Sequence, residues 1–446
     1  MKAFADMELE ELLKDGGWDC ACGRKHQTGL KYFRVERGAV KYLPEAFERF
    51  HVHKPFIVCD QHTKAAAWAQ VQAVLDGAGI SYVLYEFPLS KVEPDEHSVG
   101  CLTMSFDRSC DVVLAIGSGV INDCCKVLAQ VAGIPSMVVG TAPSMDGYAS
   151  NSSSMIQSRV KVVLYNACPV AIIADTDIMS QAPARMLWAG FGDMLAKYIS
   201  ICEWRISHLV TGEYYCENIA GLMRASLKTI VDAAPRLMER DPETIGVVVR
   251  GLVLSGAAMA FAEISRPASG LEHYFSHLWE MMALERDTPY ELHGIQVGVG
   301  TYLTFRIYDA LRAMRPSREV AERFMREFSQ SAWETQTRQI FGQAADTLIQ
   351  TAKQQHKNDP AKQRERLERI LNHWDDILQI IQEELPPTAE IAAMMRSLGM
   401  PMEPNDLGIS EQDTHDALIG SRDIRDKYLT STMMWDLGIL YTFVIP

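Results

Sequence analysis

The feature that most limits what this chain can fold into is a repeated order of short apolar run, helical stretch, glycine and second apolar run. It occurs first as FIVCD, a helix from Thr63 to about Ala78, Gly79 and ISYVLYEF, and again as DVVLAI, a helix, Gly133 and IPSMVVG. Strands and helices that alternate in this way form βαβ units, whose strands are parallel. Strand-like runs also occur at 161–165 and 170–174. We therefore predict an open α/β domain with a Rossmann-like parallel sheet.

The character of the sequence changes after about residue 183, where long stretches of helical period replace the short apolar runs. The clearest predicted helices are 186–207, 213–238, 244–264, 271–284 and 294–314. The polar stretch 344–384 keeps apolar residues at helical spacing, so we predict surface helices there rather than a linker. With 446 residues, the chain has room for two domains, and we predict an α/β domain over 1–183 and an all-helical domain over 184–446.

Composition excludes several classes of protein. A net charge of −14 is unsuited to a surface that neutralises nucleic-acid phosphates. The N-terminal residues are charged where an export signal is apolar, and the most apolar stretch, Gly251 to Ile264, is shorter than the roughly 18 to 20 residues that span a bilayer. We predict a soluble cytoplasmic protein with no nucleic-acid or membrane partner, whose ten cysteines are reduced thiols.

One group of cysteines near the N-terminus suggests a metal site. Cys20, Cys22 and His26 lie in the run CACGRKH. No second Cys/His pair follows at the spacing of a zinc ribbon, so we interpret the run as a tight turn that leads into the first strand.

A glycine-rich turn, GSGVIND, lies between a predicted strand and a predicted helix. Glycines allow such a turn to be tight, and the NH groups at a helix N-terminus can hold a pyrophosphate. The third glycine of the usual dinucleotide motif is replaced by Asn122. The turn therefore predicts a nucleotide site, although a βα turn that needs glycine only for its geometry remains an alternative.

Two further features support a nucleotide at this edge of the sheet. Asp60 ends the first strand of the pattern, where a carboxylate can accept hydrogen bonds from ribose hydroxyls, and TAPSMDGYAS follows the strand after the glycine-rich turn. Asp60 could instead cap the next helix.

The predicted helical domain contains the residue types of a divalent metal site. His273 and His277 are four residues apart on one helix face, His293 follows in ELHGIQVG, and Asp193 lies in GFGDMLAKY. Ser269 and Glu272 resemble a capping box that would place His273 in the first turn of its helix. One carboxylate and two or three imidazoles make a plausible site for a divalent metal with an open coordination position.

Taken in order, these motifs and the run IGSRDIRDKYLTSTMMWDLGIL resemble the glycerol-1-phosphate dehydrogenases, in particular the bacterial branch. That family belongs to the superfamily of iron-type alcohol dehydrogenases and dehydroquinate synthase, so the resemblance implies a dehydroquinate synthase-like fold. It also implies homo-oligomers, either dimers or larger assemblies.

The resemblance implies roles for individual residues. Asp193, His273 and His293 match the metal ligands, while Asp146, Asp193 and His277 match residues that contact the substrate, with Asp193 and His277 as the catalytic pair. With Asp60 from the strand-end argument, the cofactor-binding set is Asp60, Gly119, Val120, Ile121, Asn122, Asp123, Thr141, Ala142, Pro143, Ser144 and Ser150.

The implied activity is reduction of dihydroxyacetone phosphate to sn-glycerol 1-phosphate with NADH or NADPH. The resemblance implies zinc as the usual metal, whereas the ligand types alone leave zinc, nickel and iron open. Two positions depart from the family: the turn is GSG rather than GGG, and Ile295 stands where HGE is usual. The alternatives are another member of the superfamily, such as a polyol or glycerol dehydrogenase or a dehydroquinate synthase, and an inactive relative that binds nucleotide and metal.

Overall fold

The structure, a computed structural model, describes residues 2–88 and 91–446. The chain divides into two compact units, of which the first comprises Met1–Met194 with Cys216–Pro267 and the second comprises Leu195–Tyr215 with Ala268–Pro446. The division predicted at residue 183 assigns nucleotide binding to one domain and metal binding to the other, and it stays a prediction.

The strands lie in the first unit. They are β1 (Trp18–Asp19), β2 (Lys25–His26), β3 (Tyr32–Glu36), β4 (Pro55–Cys59), β5 (Val83–Glu86), β6 (Val112–Gly117), β7 (Ser136–Gly140), β8 (Ser152–Gln157), β9 (Val160–Tyr165) and β10 (Ala171–Asp175). Six of them form one sheet in the order β3-β10-β7-β6-β4-β5, and every neighbouring pair is parallel. The predicted parallel sheet is thus confirmed.

Helices make up most of the rest of the chain. They are α1 (Leu9–Leu12), α2 (Leu43–Arg49), α3 (Gln61–Gly77), α4 (Glu96–Ser105), α5 (Gly119–Ala132), α6 (Thr176–Met179), α7 (Ala184–Thr211), α8 (Glu217–Ala233), α9 (Pro242–Ala262), α10 (Leu271–Arg286), α11 (His293–Ala313), α12 (Arg318–Glu327), α13 (Gln330–Phe341), α14 (Ala345–Gln354), α15 (Pro360–Asn372), α16 (Trp374–Glu384), α17 (Thr388–Leu398), α18 (Glu411–Gly420) and α19 (Thr430–Asp436). The predicted change from α/β to helical sequence, and the helices predicted in 344–384, are confirmed.

Burial explains why the short apolar runs become central strands. All residues of β4, β6, β7 and β10 are buried, and valine and isoleucine are the commonest residues in these strands. Parallel strands covered on both faces have this composition. The carboxyl ends of β4, β6 and β7 lie at the same edge of the sheet, which is where the predicted nucleotide-binding residues follow.

The strand predicted at 161–165 is confirmed as β9, which pairs antiparallel with β8 in a hairpin separate from the parallel sheet. One predicted helix differs from the structure. The helix predicted over 213–238 ends at Ala233 and continues as the 3-10 helix Ala234–Glu239. Pro235 explains this end, because its ring removes an NH donor and clashes with the preceding turn of an α-helix.

Helix α9 is longer than the apolar stretch recognised in the sequence. Asp241 caps it by accepting a hydrogen bond from the NH of Thr244 at 2.9 Å, so the helix has 21 residues and is apolar enough to cross a membrane by length and composition. Its most apolar window is 78% buried within the fold. That burial is typical of the core helix of a soluble protein.

Candidate nucleotide and metal sites

The glycine-rich turn joins β6 to α5. A Cβ atom added to Gly117 would lie 2.6 Å from Cβ of Ile121, so packing alone requires glycine there. An added Cβ at Gly119 would make only an ordinary contact with Met145, at 3.5 Å. Packing therefore accounts for Gly117 but not for Gly119, which begins the helix.

The first turn of α5 contains two kinds of predicted cofactor contact. The NH groups of Gly119, Val120 and Ile121 have no helical carbonyl four residues earlier to which they could donate. The NH of Asn122, in contrast, donates to the Ser118 carbonyl at 3.0 Å. The Asn122 side-chain amide donates to the Gly147 carbonyl at 3.4 Å. Backbone donors for an anion are thus available at 119–121.

The Asp123 carboxylate is engaged within the protein. One oxygen lies 2.9 Å from Nζ of Lys126 and the other accepts from the NH of Ser154 at 3.0 Å. Lys126 is 1% exposed and also donates to the Gly147 carbonyl and the Ser150 hydroxyl, each at 3.3 Å. This buried lysine joins α5 to the TAPSMDGYAS loop.

The TAPSMDGYAS loop follows β7 and is held closely to the fold. The NH of Thr141 donates to the Gly117 carbonyl at 3.0 Å, and the Tyr148 hydroxyl donates to the Ala142 carbonyl at 2.7 Å. Burial raises the pKa of Tyr148, so this phenol stays a neutral donor. The predicted contacts Thr141, Ala142, Ser144 and Ser150 are buried, and with Pro143 they lie beside the glycine-rich turn in one connected loop.

Asp60 caps α3. Its Oδ1 accepts hydrogen bonds from the NH groups of His62 and Thr63, each at 2.8 Å, and the Thr63 hydroxyl accepts from the Asp60 NH at 3.0 Å. This reciprocal arrangement is a capping box. The helix-cap alternative is confirmed, and a contact between Asp60 and ribose stays a prediction.

Asp193 is positioned by close packing of α7. A Cβ at Gly190 would overlap the carbonyl oxygen of Pro143, so this glycine lets α7 approach the loop. One turn later, Oδ2 of Asp193 accepts from the NH of Asp146 at 2.9 Å. The Asp146 side chain in turn accepts from the Ser255 hydroxyl at 2.7 Å. The two predicted acids are therefore direct neighbours in a buried network.

The three histidines come from α10 and the first residue of α11. The ring centroids of His273 and His293 are 5.4 Å apart, and those of His277 and His293 are 5.3 Å apart with nearly parallel planes. His273 and His277 are 7% exposed. The predicted juxtaposition of these rings is confirmed.

Carboxylates and a hydroxyl hold two of these rings by their Nδ1 atoms. Nδ1 of His273 lies 2.9 Å from Oε1 of Glu272, while Nδ1 of His293 lies 2.9 Å from the Ser276 hydroxyl and 3.2 Å from Oε1 of Glu280. Such partners orient an imidazole so that Nε2 points to a metal.

The proposed Ser269 cap of α10 is wrong in one respect. The N-cap residue is Gly270, which makes no side-chain cap, and the Ser269 hydroxyl instead accepts from Nζ of Lys427 at 2.7 Å. Oε1 of Glu272 accepts from the NH of Gly270 at 2.6 Å and thereby satisfies the helix end itself. Glu272 thus takes the capping role that the sequence suggested for Ser269, and His273 still lies in the first turn of α10.

Within the second unit, His277, Glu280 and His293 each offer a ligand atom within 4.8 Å of the others, but Nδ1 of His293 contacts Glu280. His273 and His293 are each held through Nδ1, as metal-binding imidazoles are. Two such imidazoles together with a carboxylate would fit a divalent transition metal that has a remaining coordination position.

Sequence reasoning missed several residues that support these sites. They are Lys126, Ser255, Glu272, Ser276 and Glu280, of which Glu272 was predicted only as part of a helix cap. The last three could have been found, because EHYFSHLWE places them at helical spacing from its own histidines. Lys126 was visible only as a lysine in an otherwise apolar stretch of helix.

Comparison with known proteins gives a consistent result. Residues 34–183 match the family described as iron-containing alcohol dehydrogenase. A glycerol-1-phosphate dehydrogenase (NAD(P)+) of Halalkalibacterium halodurans is 30% identical over 413 residues, which cover 92% of this chain and 93% of that protein. A protein of the same name from Methanosarcina acetivorans is 34% identical over 253 residues, covering 56% of this chain and 69% of that one.

Solved structures share the fold at low identity. A probable glycerol dehydrogenase from Sinorhizobium meliloti has a TM-score of 0.59 at 13% identity, covering 93% of this chain and 98% of that one. Glycerol dehydrogenase from Schizosaccharomyces pombe has a TM-score of 0.60 at 15% identity, covering 93% and 89% respectively. These structures support the fold, while identity and coverage in the sequence comparison show that the chain belongs to the glycerol-1-phosphate dehydrogenase family.

Proposed function

We propose that this chain is a glycerol-1-phosphate dehydrogenase that reversibly reduces dihydroxyacetone phosphate to sn-glycerol 1-phosphate with NADH or NADPH. The observation that carries the proposal is the pair of imidazoles, His273 and His293, each oriented by a carboxylate, in a chain of this family. The relatives' names give glycerol 1-phosphate and the cofactor class. The ketone follows by chemistry, because removal of a hydride and a proton from the secondary alcohol of glycerol 1-phosphate gives dihydroxyacetone phosphate.

Asp193, His273 and His293 are the proposed ligands of one divalent metal, with zinc preferred and nickel or iron as alternatives. When bound, such an ion would polarise the ketone and stabilise negative charge on its oxygen. Glu272 and Glu280 keep the two rings in the required orientation.

We propose that His277 and Asp146 contact the substrate. The His277 ring stacks on that of His293, which places its imidazole beside a proposed ligand. Reduction of a ketone to an alcohol requires a proton at the oxygen of C2, and an imidazole is suited to supply it near neutral pH. Asp146 fixes Asp193 through its backbone NH, so the two acids form the proposed acidic side of the site.

The proposed cofactor site begins at the N-terminus of α5. The NH groups of residues 119–121 can bind the pyrophosphate, and the loop from Thr141 to Ser150 would line the adjoining surface. Asn122 and Asp123 would act by holding that loop, since their side chains contact Gly147 and Lys126. Oδ1 of Asp60 caps α3, and a contact from its carboxylate to ribose would favour NAD over NADP.

We further propose a cytoplasmic location and assembly into homodimers or larger homo-oligomers, without nucleic-acid or membrane partners. The net charge of −14 and the burial of the most apolar helix support a soluble protein of this kind.

The test is oxidation of NADH and of NADPH by purified protein reconstituted separately with zinc, nickel or ferrous iron, with dihydroxyacetone phosphate as substrate. We expect metal-dependent turnover whose product is not oxidised by an sn-glycerol-3-phosphate dehydrogenase, because that enzyme accepts the opposite enantiomer. His273→Ala should abolish turnover, whereas His208→Ala, a histidine outside the proposed site, should retain it. Turnover of glycerol with no reaction of the phosphorylated ketone would contradict the proposal.

A further inference from the structure

A second group of metal-ligating side chains lies in the first unit. Ligand atoms of Cys20, Cys22, His26 and Cys216 all lie within 4.8 Å of one another. Three of these residues come from the CACGRKH run, and the fourth is 190 residues away from His26 in sequence. The run therefore does more than form a turn.

The separations match the edges of a tetrahedral site. Sγ of Cys20 is 3.6 Å from Sγ of Cys216, and Nε2 of His26 is 3.2 Å from Sγ of Cys22 and 3.6 Å from Sγ of Cys216. A tetrahedral zinc ion with bonds of about 2.3 Å to sulfur and about 2.0 Å to nitrogen holds two sulfurs roughly 3.8 Å apart and a sulfur and a nitrogen roughly 3.5 Å apart. A disulfide would instead require sulfurs about 2.05 Å apart.

Backbone geometry presents the first three ligands from a tight turn between β1 and β2. The NH of Cys20 donates to the Arg24 carbonyl at 3.1 Å, and the NH of Gly23 donates to the Cys20 carbonyl at 3.0 Å. Gly23 has φ +83°, a conformation that favours glycine. Cys216 is the N-cap residue of α8.

Neighbouring groups orient the ligands as in a structural metal site. Nδ1 of His26 lies 2.8 Å from the Phe261 carbonyl and must donate to it, which leaves the Nε2 lone pair directed at the sulfurs. The Asn218 side-chain amide donates to Sγ of Cys20 at 3.2 Å, as it would to a thiolate. His26 is fully buried and Cys216 is 1% exposed, so four protein ligands would close the site.

We propose that Cys20, Cys22, His26 and Cys216 bind a structural zinc ion with three thiolates and one imidazole. On binding, the three thiols release their protons to solvent while His26 stays neutral. The ion would fasten the N-terminal hairpin to the start of α8, and His26 would extend the link to the end of α9. The interpretation of CACGRKH as a turn alone is then incomplete, because Cys216 supplies the ligand that the local spacing lacks.

The first test needs no change to the cysteines. Metal analysis of zinc-loaded wild-type protein should give two zinc ions per chain, and the double variant His273→Ala/His293→Ala should keep one. X-ray absorption at the zinc edge of that variant should give three sulfur neighbours and one nitrogen neighbour. A folded double variant that binds no zinc, or one whose zinc has no sulfur neighbours, would overturn the proposal.

The second test removes one ligand. Cys22→Ser should lower the zinc content from two ions per chain to one and lower the midpoint of thermal unfolding. Cys101→Ser is the matched control, because Sγ of Cys101 also lies near a histidine, 3.7 Å from Nε2 of His97. Among residues 2–88 and 91–446, no group of three or more potential metal ligands includes Cys101. Cys101→Ser should keep both ions.

A ligand exchange guards against a variant that fails to fold. Cys22→His should retain two metals and, in the cobalt-substituted protein, weaken the thiolate-to-cobalt absorption band by about one third, since two of three thiolates remain. An unchanged band would overturn the assignment of Cys22, and a disulfide found among these cysteines by mass spectrometry of freshly purified protein would overturn the site. Both results are independent of catalysis, so the proposed dehydrogenase activity can fail while the zinc site stands.

Discussion

Gly190→Ala should separate activity from stability, because Gly190 lets α7 approach the loop that carries Asp146. An added Cβ would overlap the Pro143 carbonyl oxygen and lie 2.9 Å from its carbon. Restoring an ordinary carbon–carbon distance of about 3.5 Å requires the helix and loop to separate by at least about 0.6 Å. Asp193, one turn along the same helix, would move away from the Asp146 NH that it contacts at 2.9 Å.

The expected effects on stability and activity differ in size. Overpacking costs about 1–3 kcal/mol, while alanine is favoured over glycine in a helix by about 1 kcal/mol, so the free energy of unfolding should fall by about 2 kcal/mol. Misplacement of catalytic groups by about 1 Å can lower rates about 100-fold. We therefore expect kcat/KM for dihydroxyacetone phosphate to fall about 10- to 100-fold.

Gly100→Ala provides the matched control. Gly100 lies inside α4, and an added Cβ there would meet nothing within 4 Å. The same substitution should stabilise this helix by about 0.5–1 kcal/mol and leave turnover unchanged. Urea unfolding and steady-state NADH oxidation measure both quantities. Wild-type kcat/KM in folded Gly190→Ala protein would refute the reasoning, as would an equal loss in both variants.

Three further predictions follow from the buried network and the metal site. Lys126→Met breaks the ion pair between Lys126 and Asp123 and should lower the free energy of unfolding by about 3–5 kcal/mol. It should also weaken NADH binding in a fluorescence titration. Adding Asp123→Asn should recover part of the stability, and fully additive losses of unfolding free energy in the double variant would argue against the pair. Ser255→Ala removes a donor to the Asp146 carboxylate and should lower the free energy of unfolding by about 1.5–3 kcal/mol. Ser226→Ala, which breaks a neutral hydrogen bond, should lower it by only about 0.5–1.5 kcal/mol. Equal losses of unfolding free energy in urea would contradict the role of charge. Prolonged chelation should abolish dihydroxyacetone phosphate reduction and re-addition of metal should restore it, whereas activity that survives in protein shown to be metal-free would contradict the proposed metal chemistry.

Local pattern was sufficient to predict much of the fold. Short apolar runs predicted β4, β6, β7 and β10, because strands covered on both faces are apolar along most of their length. Helical period likewise predicted α10 with His273 and His277 on one face. The hairpin of β8 and β9 was not predicted, since strand pairing depends on partners that a single run does not specify.

Within the candidate site, local sequence predicted residue types better than hydrogen-bond partners. Ser269 and Glu272 have the spacing of a capping box, yet Ser269 contacts Lys427, which comes from a distant part of the chain. Asp60 had two possible roles in the sequence, and the structure identifies the cap.

By itself, the sequence determined the α/β and helical halves, the glycine-rich turn and the family, all of which depend on periodicity or on residues close together in the chain. Only the tertiary structure decided which distant side chains meet. Cys216 joins Cys20, Cys22 and His26 because α8 begins beside the N-terminal hairpin. Lys126 likewise meets the TAPSMDGYAS loop because β6 and β7 are neighbours in the sheet. The physical reason is that a ligand set or a buried ion pair requires a few ångströms of separation in space, and spacing along the chain sets no such distance between residues far apart in sequence.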